Sequence, residues 1–187
     1  MLEKETPAQG HVCPWWLIPT FDNPLRRLVQ NPDRLLSGLV SPGQAAADLG
    51  CGMGYFSVPL ARLVGPAGRV FAVDLQSEML SGVRKRAQRA GLEARIQLHQ
   101  ATPHSLGLAT PVDFVLAFWM LHEVPDQERF LAEVRSFLKP GGRFLFVEPR
   151  GHVPGADFDR SVSRAHTAGF QHAEPYSVAL SRAVLFS

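Results

Sequence analysis

At 187 residues, with 45% apolar and 19% charged side chains, the chain is sized for one domain with a real core. Nineteen Lys and Arg against seventeen Asp and Glu leave a net charge of +2, too balanced to argue for a nucleic-acid partner. Two cysteines, Cys13 and Cys51, make no disulfide framework, and the longest apolar run, Phe114 to Leu121, is eight residues and cannot span a bilayer. Glu3, Lys4 and Glu5 precede any apolar run, as no secretory leader would have it, so a cytoplasmic protein with no membrane association is expected.

Residues 1–10 are polar. His11 to Phe21 is apolar and aromatic but broken by Pro14 and Pro19, which reads as a lid carrying Trp15 and Trp16 over the core. Leu25, Leu28 and Val29 predict a short amphipathic helix, and Leu35, Leu36, Leu39 and Val40 a second, closed by Ser41-Pro42-Gly43. Residues 1–43 thus form a lid and helical segment packed on a core of residues 44–187. That core alternates strand and helix. Strands are expected near 44–49, 69–73, 95–99, 113–118 and 143–147. Helices are expected near 56–64, 77–90 (capped by Ser77, stopped at Gly91), 127–138 (stopped by Lys139-Pro140-Gly141-Gly142) and 157–168. Strands near 171–178 and 181–186 follow too closely for a helical crossover and must pair antiparallel. The fold class is α/β: a doubly wound, mixed seven-stranded sheet with one antiparallel strand from a C-terminal hairpin.

The chemistry centres on Asp48-Leu49-Gly50-Cys51-Gly52-Met53-Gly54, directly after the first strand. Alternating glycines between a strand and a helix let backbone N–H groups approach a ligand that a Cβ would block; at Cys51 a small side chain is what the turn requires. Asp74 ends the second strand, 24 residues after Gly50, where a carboxylate suits two ribose hydroxyls. Together they imply a ligand that contains a nucleoside.

On these residues the chain resembles the class I S-adenosylmethionine-dependent methyltransferases, over residues 44–187. Asp48 to Gly54 reads as that family's first motif and Val73-Asp74 as its second. Asp113 to Phe118 and Leu138-Lys139-Pro140-Gly141-Gly142-Arg143 read as its later strand and turn signatures. The resemblance implies a Rossmann-like sheet with S-adenosylmethionine as cofactor. It implies that Gly50 and Gly52 admit the methionine part, with Asp48 near its amino group directly or through water. Asp74 takes the ribose hydroxyls and Leu75 covers one adenine face, while Phe118 and Trp119 line the sulfonium end. The family often carries an acidic residue after the third strand; here Thr102 or a backbone carbonyl takes its place toward the adenine amino group. A nicotinamide- or flavin-dependent oxidoreductase competes for the glycine loop, but its fingerprint wants a third glycine where Tyr55 stands.

A methyltransferase acting in line on a small-molecule acceptor follows, with a catalytically silent binder of the same cofactor as the alternative. The pattern leaves the acceptor atom open between O, N, C and S. Alignment supplies about 7–11 kcal/mol, so a base is optional. Where the acceptor carries a proton, His122 and Glu123 beyond the fourth strand are the candidate catalytic bases, unless they only cap the turn. His104 is a further candidate, and Glu148, past the fifth strand, points to the same rim. Cys13 with His11 or His122 offers too few ligands for a metal site, though a soft metal or metalloid acceptor would suit that set. Arg84-Lys85-Arg86 with Arg89 reads as a solvated helix face or, alternatively, a phosphate contact.

Overall fold

The structure, a computed structural model, describes residues 24–187. The expected lid with Trp15 and Trp16, and the His11–Cys13 pair, lie outside the described residues. Two short helices, α1 (Pro24–Val29) and α2 (Pro32–Leu36), lead into β1 (Ala45–Leu49). Then come α3 (Ser57–Leu63), β2 (Arg69–Asp74), α4 (Ser77–Arg89), β3 (Ile96–Gln100) and β4 (Val112–Phe118). The chain finishes with α5 (Gln127–Phe137), β5 (Leu138–Pro149), α6 (Gly155–Thr167), β6 (Ala173–Pro175) and β7 (Ser181–Phe186). One seven-stranded sheet runs in the order β3-β2-β1-β4-β5-β7-β6. β1 to β5 pair in parallel and β7 lies antiparallel to both β5 and β6, as the short C-terminal connection requires.

Both faces of the sheet are covered, and alternate residues of each strand serve opposite faces. Ala46, Val70, Phe114, Leu116 and Leu145 pack with Leu36, Val58, Leu60 and Val83 from α2, α3 and α4. Ala47, Leu49, Phe71, Val115 and Phe146 pack with Phe130, Leu131, Phe158 and Ala165 from α5 and α6. The strand order reverses between β1 and β4, which opens a crevice at their carboxyl ends. No helix of the described residues is long and apolar enough to cross a membrane.

Local chemistry explains most boundaries. Asn31 caps α2, its side-chain oxygen accepting from the N–H groups of Asp33 (3.0 Å) and Arg34 (3.4 Å), with Pro32 as the first helical residue. Gly91, at φ +65°, closes α4, with the Leu92 N–H donating to Ala87 O at 2.9 Å. Ser77 is not the cap of α4: the helix starts at Ser77, and its hydroxyl donates to Glu78 instead. α2 also ends earlier than expected, at Leu36, because Gly38 turns the chain at φ +74°; Leu39 and Val40 are buried from the turn that follows.

α1 departs further from its amphipathic reading. Leu28 is 82% exposed and Val29 half exposed, whereas Gln30, just past the helix, is buried at 3%. The helix is turned so that Arg26 and Gln30, four apart, face the body of the protein. β5 is longer than expected. Leu138 pairs with Val112 and Arg143 with Phe114, so residues 139–142 bulge out within the strand instead of preceding it. β6 is shorter than expected, Ala173–Pro175, although the Tyr176 N–H still donates to Ala183 O at 3.0 Å.

Candidate functional site

Leu49 ends β1, and the next residues make a tight bend with φ +62° at Gly50, +52° at Gly52 and +84° at Gly54. These left-handed angles strain any residue with a Cβ, which is why glycine alternates here. A side chain at Gly50 would also collide with Met120, 2.8 Å from the position of its Cβ. The bend is pinned to β2 at two points. The Cys51 N–H donates to Val73 O (3.0 Å), and the Gly52 N–H to the Asp74 Oδ2 (3.0 Å). Asp74 Oδ1 accepts from the Gln76 N–H at 3.0 Å. Both carboxylate oxygens thus take backbone donors and keep lone-pair capacity for more. Burial raises the Asp74 pKa above the ordinary carboxylate range, against the lowering effect of its backbone donors. Hydroxyl donors from a ligand would relieve that desolvation.

Asp48 is 2% exposed and receives the Ser57 hydroxyl at 2.5 Å, so it supports the bend from behind. Burial pushes its pKa up to about 7, helped by the charge of Asp74 and opposed by the Ser57 hydrogen bond and the charge of Arg26. Burial likewise holds the Cys51 thiol well above its ordinary value, so it is an inert packing side chain. Leu75 is half-buried at the tip of β2, its carbonyl accepting from Gln100 Nε2 at 3.1 Å. Thr102 sits exposed past the neighbouring β3, its hydroxyl donating to Ser105 O at 3.2 Å. These groups suit an adenosyl ligand: a glycine cradle, a carboxylate with free acceptor capacity and an apolar side chain line the tips of β1 and β2, with a hydroxyl beyond β3.

At the tip of β4, Phe118 is buried and packs on Phe56 with ring centres 4.4 Å apart. Trp119 adopts φ +59°, a left-handed conformation rare outside glycine. Three partners hold it there: its N–H donates to Val147 O (2.8 Å), its indole N–H to Ser181 Oγ (3.0 Å), and its ring lies against Phe118. Such strained residues cluster at functional sites. Arg26 stands over the same rings, a feature with no signal in the sequence, where α1 reads only as apolar spacing.

The next turn, Leu121–Glu123, carries the candidate base, His122. His122 Nδ1 donates to Glu148 Oε2 at 2.6 Å, and the His122 backbone N–H donates to Glu148 Oε1 at 3.0 Å. Glu148 is 2% exposed at the end of β5. Both its oxygens accept, which fixes the imidazole tautomer with the lone pair on Nε2. Burial lowers the His122 pKa, but the Glu148 hydrogen bond and the charges of Glu148 and Glu123 outweigh it and leave the group above its ordinary value. Glu123 is the looser neighbour, 3.9 Å from Nε2. His104 lies exposed in the turn after β3 and joins neither group. The partner of His122 is thus Glu148, from an adjacent strand; adjacency of the β4 and β5 tips was the signal for it.

The His122–Glu148 pair lines a cleft of about 300 Å³ with His152, Gln127, Ser161 and Arg164. The cleft is polar, and the His152 ring meets His122 edge-on at 4.9 Å. Arg84, Lys85 and Arg89 of α4 are exposed, on a face remote in sequence from this rim.

A family model described as a methyltransferase domain matches residues 41–174. A demethylmenaquinone methyltransferase of Lactobacillus johnsonii is 34% identical over 110 residues, covering 58% of this chain and 45% of the relative. A ubiquinone biosynthesis O-methyltransferase of Xanthomonas axonopodis pv. citri is 32% identical over 145 residues, covering 76% and 58% respectively. The chain spans about half the length of these curated relatives. A solved SAM-dependent methyltransferase from Aquifex aeolicus superposes with a TM-score of 0.82 at 21% identity, over 94% of this chain and 98% of that one; it shares the fold.

Proposed function

Since the chain belongs to the methyltransferase domain family, we propose that it transfers a methyl group from S-adenosylmethionine to a small acceptor whose proton His122 removes. The observation that carries this reading is the placing of a cradle and a base on adjoining strand tips: the glycine bend after β1, and the His122–Glu148 pair beyond β4 and β5. When bound, S-adenosylmethionine supplies a methyl group already activated on a positively charged sulfur. Gly50 and Gly52 admit it, Asp74 accepts from its ribose hydroxyls and Leu75 lies along the adenine. Thr102 has lone-pair capacity for the adenine amino group, and Phe118 and Trp119 wall the end where transfer occurs. Asp48 acts through Ser57 and the bend.

On the acceptor side, Glu148 orients His122 so that Nε2 faces away from it, free to take a proton. The imidazolium that forms is stabilised by the same carboxylate. The size and polarity of the cleft favour a small hydroxyl-bearing acceptor over a nucleic acid. Screening small acceptors with a labelled methyl donor tests this. His122→Ala should lower turnover about 10²–10⁴-fold with donor affinity unchanged. Full activity in that variant would remove His122 from the chemistry, and donor binding with no transfer to any acceptor would leave a silent binder.

A further inference from the structure

Four aromatic rings from two parts of the chain converge on one cation. The Arg26 guanidinium carbon lies 4.3 Å from the ring centre of Tyr55, 5.0 Å from Trp119, 5.3 Å from Phe118 and 5.6 Å from Phe56. All four distances fall within the range of cation–π attraction. Tyr55 and Phe56 directly follow the glycine bend; Phe118 and Trp119 close β4. The box therefore stands at the crevice between β1 and β4, where the charged end of the donor is read to lie. Arg26 is also near enough to act on the buried carboxylate of Asp48.

The box is built firmly, while its occupant arrives on a short helix. Phe56 packs on Phe118 and edge-on to Tyr55, and Trp119 is fixed in its left-handed conformation by two hydrogen bonds. Arg26 instead comes from α1, six residues long and with Leu28 and Val29 turned outward. Side-chain contacts at its end help to seat α1. Arg26 Nε donates to Gln30 Oε1 (3.0 Å), Gln30 Nε2 to Ala179 O (3.0 Å) and the Tyr55 hydroxyl to Gln30 O (2.9 Å). An isolated helix of this length has no stability of its own. Leu28 and Val29 stand exposed while Arg26 faces the rings, a local conflict of the kind expected where a segment serves function.

We propose that the box is a cation site shared in turn by Arg26 and the sulfonium of the donor, so that donor binding expels the guanidinium and loosens α1. Two positive charges cannot occupy four rings together without like-charge repulsion in a partly buried place. The demethylated product carries a neutral sulfur and lets Arg26 remain or return. Arg26 thereby reads the charge lost in the reaction, and α1 settles only when the donor is spent. This rests on the donor-binding reading above.

Two measurements test it on the full chain. Hydrogen exchange of amides 24–36 should quicken with S-adenosylmethionine and stay at the free-protein rate with S-adenosylhomocysteine. In calorimetric titration, Arg26→Gln should tighten S-adenosylmethionine binding about 5- to 30-fold, the worth of one displaced cation–π contact, and change S-adenosylhomocysteine binding less than about twofold. Weaker donor binding in the variant would overturn the proposal, since it would mean that Arg26 grips the donor. Equal affinities with unaltered exchange would overturn it too. If neither compound binds the wild-type protein, the donor site itself is wrong, a result distinct from both.

Discussion

Glu148→Gln isolates the part of the site that the structure adds. Glu148 is 2% exposed and accepts two hydrogen bonds from one residue, the His122 ring at 2.6 Å and the His122 backbone N–H at 3.0 Å. Gln keeps the shape but loses the charge, and its amide nitrogen must face one of those two donors. A charge-assisted hydrogen bond of this kind contributes about 1.5–3 kcal/mol, and losing it moves the His122 titration downward. The donor left unpaired costs a further ~1–3 kcal/mol of folding stability. An imidazole held above its ordinary value contributes stability that is complete below the unfolded pKa near 6.5 and fades as pH rises through the folded value. Base activity runs the opposite way and switches on as that proton leaves. The assay is an NMR titration of the imidazole protons, with His122→Ala to assign the resonance; it needs no acceptor. Titration of His122 at the same pH in Glu148→Gln and wild type would refute the pairing.

Two further substitutions probe the cradle. Asp74→Ala removes the acceptor of the Gly52 and Gln76 N–H groups and should weaken S-adenosylmethionine binding by roughly 1.5–3 kcal/mol in calorimetry; unchanged affinity would take Asp74 out of the site. Asp48→Asn tests the buried carboxyl, whose pKa rises from 3.8 to about 7 on folding. Its charged form opposes folding, so wild-type stability falls as pH climbs through that window, by about 4 kcal/mol at most. Urea unfolding at pH 5 and pH 8 should show a loss about 2–3 kcal/mol larger in wild type than in Asp48→Asn; parallel losses would contradict it.

Much of the architecture was legible because parallel strands buried on both faces leave near-continuous apolar runs, as Asp113 to Phe118 does, and because glycines punctuate their ends. The C-terminal pairing followed from chain length alone. What the sequence hid depends on contacts across the fold. The pairing of His122 with Glu148 joins positions 26 apart and follows from the adjacency of β4 and β5. The direction in which α1 faces is set by Gln30 and Tyr55, not by its own apolar spacing, so Leu28 and Val29 misled. Ser77 had the right residue type for a cap, but Asp74 already holds the Gln76 N–H at the start of that helix. The glycines told of a bend, while only the structure shows Met120 lying against Gly50.

The central claim, that the bend after β1 and the carboxylate at the tip of β2 together hold an adenosyl donor, is tested most directly by a crystal grown with S-adenosylhomocysteine. The account predicts its ribose hydroxyls within hydrogen-bond reach of Asp74 and its thioether beside Phe118 and Trp119. Density elsewhere on the molecule, or a ribose turned away from Asp74, would contradict it.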